Sequence, residues 1–239
     1  MPRRSADRVT TRASARASAR LSREGIVAAA IALADGEGLD VLSMRRLAQQ
    51  LDVDAMSIYY HLHDKGALLD AMADAVVAEI EQDPAATVSG EPWTAALRSL
   101  IMAARRAMLR HRWAATLLAG RRSPTPASLR HIERALSVLR GGGCSVDLSH
   151  HALHLFGSRL LGFSQDLFDD SPAVRPTPAE AAAQAAALAR DHPHVAELAA
   201  AVTHEGALGG CDDDREFEFA LDILLDGLER RRRSDAGRT

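Results

Sequence analysis

Apolar residues recur three and four apart over most of the chain, and no stretch alternates apolar with polar as a half-buried strand does. The pattern predicts an all-α fold. In "REGIVAAAIALAD", Arg23 to Asp35, the repeat gathers Ile26, Ala29, Ala30 and Leu33 on one side, Ser22 stands at an N-cap position, and "GEG" at 36–38 stops the helix. Shorter pieces follow. Ser43 is placed to cap "MRRLAQQL" (44–51), Asp52 and Val53 form a tight turn, "DAMSIYYH" (54–61) makes a second short helix, and Asp64 caps the longer "KGALLDAMADAVVAEIEQ" (65–82). Pro84 and Gly90 mark a boundary.

Beyond it the pattern predicts helices in "EPWTAALRSLIMAARRAMLRHR", "WAATLLAG" and "ASLRHIERALSVLR", the last stopped by Gly141, Gly142 and Gly143, and then a long helix from about Val146 to Phe168. "SPAVRPTP" (171–178), with three prolines, reads as a surface loop. "AEAAAQAAALAR" has high helix propensity but little to bury, and reads as an exposed helix. The final helix, "DREFEFALDILLDGLERRRR", carries an apolar stripe and ends in four arginines that suit the helix dipole.

Composition narrows the class. The chain has 239 residues, 47% of them hydrophobic, yet lacks the run of about 18 apolar residues that a membrane span needs. Its first residues are arginine-rich and carry no apolar signal segment, so a cytoplasmic location is expected. Cys144 and Cys211 lie far apart and read as two reduced thiols. The net charge of −3 hides a split: residues 1–65 hold ten basic and eight acidic residues, the remainder nineteen and twenty-four, and residues 1–23 seven basic and one acidic. An anionic partner therefore meets the front of the chain. There "RASARASAR" spaces Arg12, Arg16 and Arg20 four apart with no apolar face, which reads as a disordered arm over residues 1–20 whose charges meet a polyanion.

Three helical pieces at 23–35, 44–51 and 55–61, the last two joined by a short turn, have the layout of a helix-turn-helix. Leu47, Ala48, Leu51, Val53 and Ile58 are spaced to pack the short helices together. The surface left over is Ser43, Arg45, Arg46, Ala55, Met56, Ser57, Tyr59, Tyr60, His61 and Lys65. Hydroxyls and cations bind phosphate oxygens, and arginine takes guanine through two hydrogen bonds.

"LSMRRLAQQLDVDAMSIYYHLHDKGALLDAM", Leu42 to Met72, resembles the DNA-binding domain of the TetR family, down to the tyrosine, histidine and lysine after the turn and the "ALLDA" that opens the next helix. "EPWTAALR", "GRRSPTPASLRHIERALSVLRGGG" and "EFALDILLDGLER" are similar to the family's ligand domain. The resemblance implies a helix-turn-helix domain at 21–65 and a ligand-binding and dimerisation domain at 66–235. Arg45 would read guanine with Ser43 and Met44 beside it. Ser57, Tyr59 and His61 would hold phosphate or base, Tyr60 would supply an aromatic, and Lys65 would clamp a phosphate. Asp52 replaces the family's turn glycine, which Asp tolerates, while Ala55 and Met56 replace larger or polar contacts, so the operator should differ from the tetracycline one.

The same resemblance implies a homodimer on a palindromic double-stranded operator, with half-sites about 34–36 Å apart, released when a small molecule moves the helix near 65–82. The apolar stripes for such an interface are Leu153, Phe156, Leu160 and Leu161 on one helix and Phe217, Leu221, Leu224 and Leu228 on the last. By position, Leu100 and Leu118 replace the drug and metal ligands of the tetracycline repressor, so magnesium-tetracycline is not the expected inducer, and no cofactor or metal is expected. Leu100, Ala104, Met108, Leu117, Leu118 and Phe156, with Ser158, Arg159 or Gln165 as polar anchors, suit an apolar effector with few polar groups.

Two other functions compete. An activator or ligand-independent regulator could share this fold. A helical metal enzyme could use His150 and His154 of "HHALH", but only Cys144 and Asp147 are near as further ligands, no glutamate completes an HExxH pattern, and no nucleophile motif or phosphate loop is present. These histidines read as solvent-facing or interfacial, and Trp93 and Trp113 as packing residues at helix starts.

Overall fold

Ser22 Oγ accepts a hydrogen bond from Gly25 N at 3.0 Å, and this N-cap opens the first described helix of the computed structural model, α1, Arg23–Glu37. The structure describes residues 21–86, 91–121, 123–161, 177–202 and 213–237. The arm at 1–20, with Arg12, Arg16 and Arg20, lies outside them, as do Gln165 and Cys211.

After a 3-10 turn at Leu39–Val41 come α2 (Met44–Leu51), α3 (Ala55–His61) and α4 (Lys65–Gln82). Ser43 and Asp64 cap the helices they are placed to cap, Ser43 Oγ accepting from Arg46 N at 3.1 Å and Asp64 Oδ1 from Ala67 N at 2.7 Å, and Asp54, read as the first residue of α3, is its N-cap instead, accepting from Met56 N at 2.8 Å. The turn between α2 and α3 rests on Asp52, at φ 52° and ψ 45° in the left-handed region. Val53 N donates to Ala48 O at 3.1 Å and Asp52 N to Gln49 O at 3.3 Å, the paired bonds of a Schellman ending. Asp thus fills the position where glycine is usual.

The later helices are α5 (Trp93–Arg110), α6 (Ala114–Ala119), α7 (Pro126–Gly141), α8 (Val146–Leu161), α9 (Pro178–Asp191), α10 (Pro193–Val202) and α11 (Asp213–Ala236). Two compact units result. The first contains α1 to α8 and the end of α11 from Leu228; the second contains α9, α10 and α11 up to Gly227.

Within the first unit α4 is the central element, packed against α1, α5, α6 and α7, while α5 and α7 also pack on each other and on α8. Its apolar positions Leu68, Met72, Val76, Val77 and Ile80 are buried and join one core with Ile26 and Leu33 of α1, Leu47 and Ile58 of the short helices, and Leu100 and Ala104 of α5. Of the positions whose spacing predicts packing in α1, α2 and α3, Ile26, Ala30, Leu33, Leu47, Ala48 and Ile58 are buried, while Ala29, Leu51 and Val53 are half-buried. Where α5 starts, Trp93 lies on Gly142 so closely that a Cβ there would sit 2.3 Å from the indole Cγ.

In the second unit α9 packs on α10. Thr177 and Glu180 form a reciprocal capping box at the start of α9, with Pro178 at its first position. Pro178 therefore belongs to a helix and not to the loop the three prolines predict, because a first-turn residue has no helical N–H bond to lose. Among the described residues no helix is long and apolar enough to cross a membrane.

Candidate functional site

The surface around α2 and α3 presents cations and aromatics. Arg45, Tyr59, Tyr60 and Lys65 are exposed, Tyr60 by 89%, and Met56 beside them is exposed by 72%. Ala55, Ser57 and His61 are half-buried, and the Tyr60 and His61 rings meet edge to face at 5.5 Å. Arg45 has no hydrogen-bond or ion-pair partner among the described residues. Ser43 is exposed and uses its oxygen as an acceptor for the cap, which leaves its O–H free to donate outward.

Two members of the expected set stand elsewhere. Met44 is only 7% exposed and belongs to the core, not to the reading face. Helical side chains lean toward the N-terminal end, which carries this first-turn residue inward. Arg46 Nη2 is 2.6 Å from Glu37 Oε1 at the end of α1, so its guanidinium ties α2 to α1.

A cavity of about 520 Å³ opens among α4, α5, α7 and α8. Val77 and Ile80 of α4 line it, with Leu97, Leu100, Ala104 and Met108 of α5, Leu118 of α6, Ile132, Ala135 and Leu139 of α7, and Leu153 and Phe156 of α8. Leu100, Ala104, Met108, Leu118 and Phe156 stand where the sequence expects them. Leu117 and Ser158 do not reach it: Leu117 packs into the core, and Ser158 is exposed, its O–H donating to His154 O at 2.6 Å. Arg159 and Leu160 lie within α8, but their side chains fall outside the described residues. Leu153, expected at a dimer interface, is a wall residue of the cavity.

The polar wall is one that sequence reading missed. It consists of Arg121, Ser123, Ser128 and His131 together with His150 and His154, whose rings meet edge to face at 4.6 Å. Burial holds the His131 imidazole below its ordinary value, in the neutral form. No single periodicity marks these residues, because one loop and two different helices, α7 and α8, contribute them. Among the described residues no group of three or more His, Cys, Asp or Glu is placed to hold a metal ion. Leu100 and Leu118, the positions that the resemblance assigns to drug and metal ligands, carry hydrocarbon side chains in the wall and cannot ligate magnesium.

α4 connects the two regions: Lys65 opens it at the exposed surface of α2 and α3, and Val77 and Ile80 end in the cavity. Carboxylates anchor it along its length. Asp70 pairs with Arg121, Asp74 Oδ1 accepts from Ala127 N at 2.6 Å, Glu79 pairs with Arg110 at 3.0 Å, and Glu81 with Arg130 at 3.3 Å. Just past its end, the Arg106 guanidinium 2.8 Å from Asp83 holds that carboxyl below its usual range. At the junction with α1, His111 is 7% exposed, with Nδ1 2.9 Å from Asp35 and Nε2 3.2 Å from Glu79, and Trp113 Nε1 donates to Asp35 at 2.7 Å. One buried imidazole thus joins α1, α4 and the turn after α5.

Comparison with known proteins gives this arrangement its context. Residues 26–72 match the family model of bacterial regulatory proteins of the tetR family, and residues 87–232 the tetracyclin repressor-like C-terminal domain. The chain is 29% identical to the class D tetracycline repressor protein of Escherichia coli over 88% of its own length and 90% of that repressor. It is 31% identical to the HTH-type transcriptional repressor DrrR1 of Streptomyces coeruleorubidus, covering 87% and 77% of the two chains. Among solved structures, apo ActR from Streptomyces coelicolor superposes with a TM-score of 0.66 at 29% identity, over 90% of this chain and 98% of ActR. A helix-turn-helix with a free arginine at its rim, an apolar cavity, one helix shared by both and these two domain matches lead to one conclusion: the chain belongs to the TetR family of DNA-binding transcriptional regulators.

Proposed function

We propose that the chain is a cytoplasmic homodimeric repressor that holds a palindromic operator and is released by a small molecule in the α4–α5–α7–α8 cavity. The observation that carries the reading is the double use of α4, whose first residue, Lys65, stands at the reading surface while Val77 and Ile80 line the cavity. From Lys65 to Val77 the helix rises about 18 Å at 1.5 Å per residue, so a tilt imposed at the cavity displaces Lys65 and α3 from their phosphates. A ligand that binds the tilted form better lowers operator affinity by the same factor as DNA lowers ligand affinity.

In this reading Arg45 reads a base, Ser43, Ser57, Tyr59, Tyr60 and His61 hold backbone or base edges from α2 and α3, Lys65 clamps a phosphate, and the arm at 1–20 adds contacts through Arg12, Arg16 and Arg20. Arg46 and Met44 support the module from behind. The relatives agree in type: ActR has been solved with actinorhodin, and a TetR variant of Acinetobacter baumannii with minocycline. The leucine-lined wall here supports an effector that binds without magnesium.

The dimer surface of α11 is reassigned. Phe217, Leu221 and Leu228 are buried within the protomer and Leu224 is half-buried, whereas Phe219 and Ile223, one turn apart, are exposed by 63% and 52%. We assign the partner-facing side of α11 to Phe219 and Ile223. The whole proposal is tested by fluorescence anisotropy with the DNA upstream of the gene. A sequence-specific complex at moderate salt with a two-fold site is the expected result, and binding no tighter than to scrambled DNA overturns it.

A further inference from the structure

Two wall residues of the cavity are left with unmet hydrogen-bonding capacity. Arg121, in the segment after α6, donates through Nη1 to Asp70 of α4, while its Nε is buried without a partner among the described residues. His131 of α7 likewise has a buried Nδ1 without a partner among the described residues. Both side chains line a cavity whose other walls are mostly aliphatic. An unpaired buried N–H is unfavourable until an acceptor reaches it.

The chemistry of the missing partner follows from the donor. A guanidinium has five N–H groups and no acceptor, and its planar fork matches two oxygens of one acidic group. Among the described lining residues Arg121 is the one arginine or lysine; its side chain is 18% exposed and its present partner Asp70 is 59% exposed. Water screens the Asp70 side of this pair. An oxyanion inside the apolar cavity would meet the same guanidinium where little water competes, and there the charge-assisted bond is stronger.

We propose that the effector is an apolar ring compound bearing an acidic oxygen group, and that this group takes Arg121 from Asp70 and so unties the front of α4. Asp70 follows Lys65 by five residues. Asp74, one turn further on, remains bound to Ala127 N, the first-turn amide of α7, and forms the pivot. The tie that breaks is therefore the one nearer the reading surface. In the tautomer that carries its proton on Nδ1, His131, whose charged form burial disfavours, offers the second hydrogen bond without adding charge. The inference rests on the ligand-release reading above and adds to it the ligand's chemical class and the contact it displaces.

The test uses the full chain and two fluorescent probes of the same ring system, 8-anilinonaphthalene-1-sulfonate, which carries the acidic group, and N-phenyl-1-naphthylamine, which lacks it. Cavity binding is the part abolished by Ala104→Phe, which fills the space. The sulfonate is expected to bind about tenfold more tightly than the neutral amine, since one charge-assisted contact separates them. Arg121→Gln is expected to erase that preference, read as the ratio of the two probes' affinities within the same variant. Asp70→Asn, at an exposed site that leaves packing intact, is expected to raise sulfonate affinity severalfold by freeing Arg121. A preference that survives Arg121→Gln, or an affinity unmoved by Asp70→Asn, overturns the inference while leaving the ligand cavity standing. If neither probe shows binding sensitive to Ala104→Phe, the cavity reading fails and the inference fails with it.

Discussion

Arg45 and Arg46 are neighbours in sequence with different tasks. Arg46 is tied to Glu37 across the α1–α2 corner, whereas Arg45 is exposed and unpartnered among the described residues. A bidentate contact to guanine discriminates by about 1–3 kcal/mol. Arg45→Ala is therefore expected to weaken the specific complex by about 10- to 100-fold and to leave binding to scrambled DNA within a few-fold, as read by anisotropy on the two duplexes. An equal loss on both would make Arg45 a phosphate contact. Gly142 gives a second residue-scale outcome: a Cβ there meets the Trp93 ring at 2.3 Å, and overpacking of this kind costs about 1–3 kcal/mol. Gly142→Ala should lower Tm by several degrees; an unchanged Tm would mean that the indole swings aside freely. Sequence alone separates the exposed Arg45 from the buried Leu47 and Ala48, because helical spacing decides that. It does not reveal Glu37 as the partner of Arg46 or the inward lean of Met44, since both depend on how α1 and α2 meet.

Elements were legible where a local signal begins or ends them. Ser22, Ser43 and Asp64 each accept the amide bond their positions imply, and Gly143, at φ +86°, closes α7 with Gly143 N donating to Arg140 O and Cys144 N to Leu139 O, both at 3.0 Å. α10 at Pro193–Val202 went unread because a proline that starts a helix looks like one that interrupts it. What holds α4 to its neighbours was not legible, since its carboxylates find partners 31 to 53 residues away. The sharpest of these ties is the His111 junction. Asp35→Ala removes the acceptor of both His111 Nδ1 and Trp113 Nε1 and leaves two largely buried groups unpaired, which costs about 1–3 kcal/mol. The variant should fold with a lower Tm and show faster amide exchange in α1 than elsewhere. If exchange rises evenly over α1, α4 and α5, or not at all, the junction is not what fastens α1 to α4.

At the scale of the whole molecule, the proposed function completes the candidate site only as a pair, with one α3 on one half-site and its two-fold partner on the other. The apolar stripe visible in the sequence of α11 has two sides, and periodicity alone does not tell which is turned inward. Phe217, Leu221 and Leu228 are buried within the chain, which leaves Phe219 and Ile223 as large apolar groups facing out from a helix otherwise rich in charge. In a two-fold interface each residue meets its own symmetry mate or a neighbour of it, so one substitution acts twice. Phe219→Glu with Ile223→Glu places like charges opposite each other in what would be a desolvated seam. The double variant is expected to sediment as a folded monomer of about half the wild-type mass, with its helical signal retained. It should keep weak, salt-sensitive binding to any duplex and lose the affinity gained from joining two half-sites, which can reach several hundredfold. Phe217→Glu, by contrast, should damage folding before it touches assembly, since that ring is 3% exposed within one chain. A folded monomer from the outer pair and a folding defect from the inner residue together assign the two faces of α11; a dimer that persists after Phe219→Glu and Ile223→Glu would move the interface off this helix face.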